Sequence, residues 1–150
     1  MLGRSDGLII DSFRVRDDRT GGPVPAERWD RTRRDLEAAL AGDLDTASKV
    51  STRAAAYAAE AASGILRVEA GVDPASQDTV ITIHCSDRIG RLAEILDALY
   101  RAGLEIRLAK LDSRGGEIVD TFHVRKHESP IDDPDALLSL EERISRSIEP

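Results

Sequence analysis

The sequence predicts an α+β fold in which two helices cover one face of an antiparallel sheet. Three observations carry this. A β-branched run, Thr79-Val80-Ile81-Thr82-Ile83-His84-Cys85, passes through the turn Asp87-Arg88-Ile89-Gly90 into an apolar stripe at helical spacing: Ile89, Leu92, Ala93, Leu96, Leu99, Tyr100. The alternating stretch Gly7-Leu8-Ile9-Ile10-Asp11-Ser12-Phe13-Arg14-Val15-Arg16 recurs as Gly116-Glu117-Ile118-Val119-Asp120-Thr121-Phe122-His123-Val124-Arg125, at a constant offset of 116 − 7 = 109 residues. Each copy is followed by a polar loop bearing proline and then by a helical pattern.

Taken in order, residues 7–16 read as a strand because apolar and polar residues alternate with period two. A helix follows over Pro25 to Leu40, with proline at an allowed first-turn position and Gly42 as its stop. The alanine-rich stretch Asp45 to Ser63 favours helix by composition but has few large apolar residues with which to dock. It reads as a linker, partly helical, ended by Gly64. Ile65-Leu66-Arg67-Val68-Glu69-Ala70 is a short strand, and the polar loop Gly71 to Asp78 leads to the run at 79–85. The next helix ends at Gly103. Leu104 to Leu111 alternates as a strand, and Arg114-Gly115-Gly116 makes a tight turn into the second copy of the repeat, so these two form a hairpin. The last helix runs from Pro134 to about Ile148, N-capped by Asp133. The order strand, strand, helix, strand, strand, helix gives a sandwich related to the ferredoxin-like plait. The first copy has nothing matching the strand–turn–helix of 79–103. The chain thus divides into a partial unit (1–44), a linker (45–64) and a complete unit (65–150).

Composition sets limits on function. The 150 residues are 41% hydrophobic and 33% charged, and a net charge of −7 argues against a nucleic-acid or anionic-membrane surface. The cluster Arg28, Arg31, Arg33, Arg34 is interleaved with Asp30, Asp35 and Glu37 and reads as a solvated helix face. With one cysteine, Cys85, no internal disulfide is available, which implies a reducing, cytoplasmic setting. No apolar run is long enough to span a bilayer, and the N-terminus lacks a signal-peptide core.

The turn Asp87 to Gly90 is the candidate site. A strand feeding a helix through a glycine turn leaves backbone N–H groups unpaired at the helix start, where the helix dipole also favours an anion. The amides around Arg88 to Arg91 suit a carboxylate, and Asp87 suits a ligand amine. The competing structural reading makes Asp87 a simple N-cap and Gly90 a packing glycine. Asp11 and Asp120 share strand parity with apolar neighbours and need partners, most simply a loop or an Arg of the following helix. No metal site is expected from His84, Cys85, His123 and His127, because adjacent strand residues face opposite ways and no metal-ligand spacing occurs. Cys85 has no placed base to make it a nucleophile. Asp43-Leu44-Asp45 lacks the Gly-Ser element of nucleotidyl transfer and reads as the end of the preceding helix. No phosphate loop follows Gly21-Gly22 or Gly115-Gly116. No catalytic residue, cofactor or metal is predicted.

Val80 to Val124 resembles the ACT domain, a small-molecule sensor module. Asp87-Arg88-Ile89-Gly90-Arg91-Leu92 is similar to that family's Asp-Arg-Pro-Gly-Leu-Leu turn, with Ile89 in place of the proline. Ala102-Gly103-Leu104-Glu105-Ile106, Ala109-Lys110-Leu111 and Val119-Asp120-Thr121-Phe122-His123-Val124 match as well. With Trp29 and Arg33-Arg34-Asp35-Leu36-Glu37-Ala38-Ala39-Leu40 closing a first unit, the tandem is similar to the C-terminal end of the bifunctional PII uridylyltransferase/uridylyl-removing family. The resemblance implies a regulatory, non-catalytic region that senses an amino acid, glutamine, and reaches the PII signalling protein only through the parent enzyme. It implies ligand contacts at Asp87, Arg88, Ile89, Gly90, Arg91 and Leu92, with Ile106 and Ala109 of a neighbouring unit completing the pocket and the chain forming a homo-oligomer. The alternative is a ligand-free ACT interaction module. An RNA-binding plait lacks the stacking aromatics it would need on the sheet.

Overall fold

Element boundaries follow the glycines and the β-branched runs. In a computed structural model that describes residues 2–3, 9–10, 15–17, 20–56 and 66–148, the order is β1 (Leu2–Gly3), β2 (Ile9–Ile10), α1 (Ala26–Ala41), α2 (Thr46–Ala56), β3 (Arg67–Val72), β4 (Thr79–Ser86), α3 (Arg91–Arg101), β5 (Glu105–Lys110), β6 (Ser113–Arg114), β7 (Glu117–Arg125) and α4 (Pro134–Ile148). The main sheet runs β3-β4-β7-β5, every pair antiparallel, with β6 extending the ladder along β7. This is the α+β ferredoxin-like arrangement expected from the order of elements.

Period two decides which face is buried. On β4, Ile81, Ile83 and Cys85 point inward, and on β7 Ile118, Asp120, Phe122 and Val124 do the same. Ile95, Ala98 and Leu99 of α3 and Leu140, Ile144 and Ile148 of α4 cover this face. Each fully buried Ile, Leu or Phe contributes about 1.5–3 kcal/mol, so these residues carry most of the unit's stability. In β5 the register shifts between Ile106 and Leu108, which turns both Ile106 and Ala109 toward the core although they are an odd number of residues apart. A buried Thr79 hydroxyl accepts from the Ile131 N–H at 2.6 Å and donates to the Ile131 carbonyl at 3.0 Å, fastening the loop after β7 to the start of β4.

Several expectations need adjustment. Of the repeat stretch 7–16, the described residues form a strand at Ile9–Ile10, paired with Leu2–Gly3, and none at 15–16; residues 7–8 and 11–14, Asp11 among them, lie outside the described residues. Strand β3 runs on to Val72, so Gly71 belongs to the sheet rather than to the loop. Asp45 does not end α1. Gly42, at φ 82°, does that, with Gly42 and Asp43 donating back to Ala39 and Ala38. Asp45 instead starts α2: its carboxylate accepts from the Ser48 N–H at 3.0 Å and the Ser48 hydroxyl at 2.6 Å. Those bonds hold its carboxyl below the usual carboxylate range. The alanine-rich stretch is helical over 46–56; Tyr57 to Ser63 and Gly64 lie outside the described residues. Asp133 caps α4 as expected, accepting from Ala136 at 2.8 Å. Gly115 and Gly116, both at positive φ, make the two-residue turn between Arg114 and Glu117.

Candidate functional site

The turn between β4 and α3 is fixed from both sides. The Asp87 N–H donates to the Gly116 carbonyl at 2.8 Å, and the Ser113 hydroxyl donates to Asp87 Oδ2 at 2.5 Å, so the hairpin at 113–116 holds the start of the turn. Asp87 is therefore not the N-cap. Gly90 is, at φ 91°, with no side-chain bond closing the helix start. Such a φ is natural only for glycine. The Arg91 N–H donates to the Arg88 carbonyl at 3.1 Å and the Glu94 N–H to the Gly90 carbonyl at 3.1 Å. Between them, the N–H groups of Leu92 and Ala93 have no acceptor among the described residues. They are the orphan donors of the first helical turn.

The arginines of the turn diverge. Arg88 lies beside Glu94, Nη2 to Oε2 at 2.8 Å. Arg91 is buried, donating from Nη1 to the Ile148 carbonyl at 2.6 Å and reaching Glu94 Oε2 at 3.2 Å; its Nε has no acceptor among the described residues. Thus the Arg91 side chain ties α3 to the end of α4 and leaves only its backbone at the turn.

Asp87, Arg88, Ile89, Gly90 and Leu92 come together on one cleft of ≈ 550 Å³, continuous with Ala93, Leu96 and Ile118. A neighbouring cleft of ≈ 880 Å³ shares Arg88, Ile89 and Gly90. Ile106 and Ala109 line neither; they pack, half-buried, against the core. The opposite wall of both clefts is α2, through Thr46 and Val50 with Lys49 and Arg53 or Ala54. Sequence reasoning missed this wall. Its only signal is Val50 and Ala54 at helical i,i+4 spacing in an otherwise alanine-rich segment.

The remaining polar groups explain themselves without chemistry. Asp120 is 3% exposed and accepts the Asp112 N–H at 3.2 Å, the loop partner expected for it. Burial pushes its carboxyl up to about 6, and the nearby carboxylates of Asp87 and Asp112 add to the rise. Cys85 is buried, and burial raises its thiol, which disfavours the nucleophilic thiolate. His84 faces the other side of β4 from Cys85.

Residues 79–142, which hold β4, the glycine turn, α3, β5 and β7, match the ACT domain. The chain is 30% identical over 148 residues to the bifunctional uridylyltransferase/uridylyl-removing enzyme of Gluconobacter oxydans (strain 621H), covering 96% of this chain and 16% of that protein. It is 34% identical over 100 residues to the protein of the same name from Streptomyces coelicolor (strain ATCC BAA-471 / A3(2) / M145), covering 65% of this chain and 12% of that one. The chain therefore spans a small part of the length of the relatives it matches. No helix among the described residues is long and apolar enough to cross a membrane.

Proposed function

We propose that this chain is a non-catalytic amino-acid-sensing region, with glutamine as its ligand, in a cytoplasmic nitrogen regulator of the PII uridylyltransferase kind. The observation that carries the reading is the pair of unpartnered N–H groups on Leu92 and Ala93, opening beside Gly90 onto a cleft. Backbone donors at a helix start suit the ligand's carboxylate, and Asp87, held by Ser113, suits its amine. Edge strand β5, carrying Ile106 and Ala109, ends the sheet and is the side on which a second unit completes the pocket. Ligand occupancy then selects one arrangement of paired units, and the PII signalling protein is reached only through the rest of such an enzyme. Titration calorimetry with glutamine tests this on the chain and on Gly90→Val. Binding by the first and loss in the second is the expected result; no heat from a folded sample overturns it.

A specific observation keeps the ligand-free interaction reading alongside. Leu36-Glu37-Ala38-Ala39-Leu40 of α1 has the spacing of Leu140-Glu141-Glu142-Arg143-Ile144 of α4. In α4 these leucine and isoleucine side chains are 2% and 1% exposed, whereas Leu36 and Leu40 are 58% and 81% exposed. Residues 1–44 are read accordingly as a partial ACT unit whose helix awaits a sheet, and another ACT unit is its partner. Light scattering distinguishes a dimer from a monomer, and Leu40→Glu is expected to dissociate the dimer of a folded chain.

A further inference from the structure

Asp120 is 3% exposed, yet it lies close behind the Asp87 to Gly90 turn. On the inner face of β7 it is the next position after Ile118, which lines the ≈ 550 Å³ cleft, and two residues of strand span about 7 Å. Two routes connect its carboxylate to the turn. One is mechanical: Asp120 Oδ1 accepts the Asp112 N–H at 3.2 Å, and the Asp112 carbonyl accepts the Val119 N–H at 2.9 Å. The next residue, Ser113, donates its hydroxyl to Asp87 Oδ2 at 2.5 Å, and Gly116 of the same hairpin accepts the Asp87 N–H at 2.8 Å. The base of the hairpin that holds Asp87 is thus hydrogen-bonded to Asp120. The other route is electrostatic. Burial disfavours the Asp120 carboxylate, and the charges of Asp87 and of Asp112, in the loop between β5 and β6, disfavour it further. Cys85 on the inner face of β4 is also in reach. Burial raises its thiol, with Arg91 of α3, Asp120, Asp87 and Arg88 acting on it in turn, so it stays neutral through the acid range.

We propose that Asp120 is a positioning residue for the amine subsite at Asp87. Through the 112–113 segment it fixes the Asp87 carboxylate, and its own charge, set behind Asp87, favours a ligand that carries a free ammonium group. This rests on the amino-acid-sensing reading above. A cation at Asp87 relieves the repulsion between the two carboxylates, so ammonium binding and Asp120 ionisation favour each other by the same factor. Burial pushes the Asp120 carboxyl up to about 6, and an ammonium at Asp87 draws it back toward 3.8. Binding therefore releases a proton, and the affinity for an amine-bearing ligand rises with pH across that interval. The same role accounts for a carboxylate where strand parity calls for an apolar side chain. Stability favours a neutral group at this buried position, and the amine subsite favours the charge.

Asp120→Asn keeps an oxygen for the Asp112 N–H and removes the charge; Asp120→Val removes both and suits a buried strand position. Without ligand, carboxyl carbon-13 NMR follows the titration of Asp120 in the whole chain and in Asp87→Asn. The Asp120 midpoint is expected to fall in that variant, and an unmoved midpoint overturns the electrostatic route whether or not any ligand binds. Exchange of the Asp87 N–H is expected to rise about tenfold in Asp120→Val and to stay slow in Asp120→Asn; equal exchange in the two overturns the mechanical route. With glutamine, calorimetry is expected to show the unaltered chain binding roughly fivefold more tightly at pH 8 than at pH 5. Asp120→Asn is expected to bind more weakly at pH 8 and to show no rise between the two. Equal affinities and pH profiles for these two proteins overturn the positioning role and leave the sensing reading standing. No heat with glutamine from any folded form overturns both.

Discussion

Arg91, at the first position of α3, places its guanidinium 2.6 Å from the carbonyl oxygen of Ile148, the last described residue of α4. The last carbonyls of a helix lack intrahelical donors and carry the negative end of its dipole. One buried cation thus closes the C-terminus of α4 while anchoring the N-terminus of α3, and Glu94 balances its charge at 3.2 Å. The position of the Asp87 to Gly90 turn relative to α4 depends on this link.

Arg91→Met keeps the buried stem and removes the donor. Its expected cost is about 1.5–3 kcal/mol, the range for a hydrogen bond to a charged group, read as a lower midpoint in urea unfolding with unchanged slope. Arg91→Lys is expected to recover only part, since an ammonium lacks the forked geometry that serves Ile148 and Glu94 together.

Thr79 makes a separate prediction at the other end of β4. Its hydroxyl is both acceptor and donor to the backbone of Ile131, in a position with no solvent exposure. Thr79→Val preserves the shape and strips both bonds. A loss of about 1–3 kcal/mol is expected from the backbone groups left unsatisfied, and Thr79→Ser, which keeps the hydroxyl, is expected to lose less. Thermal unfolding of the three proteins decides between a hydrogen-bonding role and a packing role.

Much of this was legible in residue order, and the parts that were not share a cause. Strand β4, helix α3 and helix α4 announce themselves by period, but the stripe read for α3 is turned off the buried face: Ile95, Ala98 and Leu99 fill the core, while Ile89, Leu96 and Tyr100 are exposed. The Asp87 to Gly90 turn is legible because only a few residue types fit a strand-to-helix turn with positive φ. Neither the Arg91–Ile148 link nor the α2–Gly90 contact has a periodic signature. Arg91 reads as a residue of the candidate ligand turn, and its side-chain role is hidden because its target is a backbone carbonyl 57 positions away. Helix α2 reads as a linker because Val50 and Ala54 pack on Gly90, a residue with no side chain. Asp45 looks like the end of α1 until its Asx bonds to Ser48 are seen. For the stretch 7–16, likeness to 116–125 predicted a strand, and among the described residues Ile9–Ile10 is one, paired with Leu2–Gly3.

Gly90 answers to two constraints that a single substitution probes together. Its φ of 91° costs an L residue about 1–2 kcal/mol, and a methyl group there crowds Ala54 at 3.3 Å. Gly90→Ala is therefore expected to lower stability by about 1–2 kcal/mol from the backbone alone. It is also expected to loosen α2, seen as faster exchange over 49–56. A stability loss with α2 exchange unchanged would show that the methyl group is accommodated.

The last prediction concerns pH and Asp120. Its carboxyl is almost fully buried among Ile118, Phe122 and Val124 on the inner face of β7, with one backbone donor, the Asp112 N–H at 3.2 Å. Burial disfavours the carboxylate, and Asp87 and Asp112 nearby disfavour it further, so the folded-state value stands at about 6 against 3.8 for the free side chain. Between these values the folded protein binds more protons than the unfolded chain, so this group's contribution to stability falls as pH rises, which is the reverse of an ion-paired aspartate. The contribution is fully present below about 3.8 and lost as pH passes through about 6. A shift of this size corresponds to roughly 3 kcal/mol at neutral pH. Asp120→Asn retains an oxygen to accept from Asp112 and removes the charge. Unfolding free energies measured from pH 4 to pH 8 are expected to converge for the two proteins at the acid end. They are expected to separate in favour of Asn above pH 6, with the unaltered protein the steeper of the two. Parallel curves across the range would place the charge of Asp120 in a better-solvated setting than its burial implies.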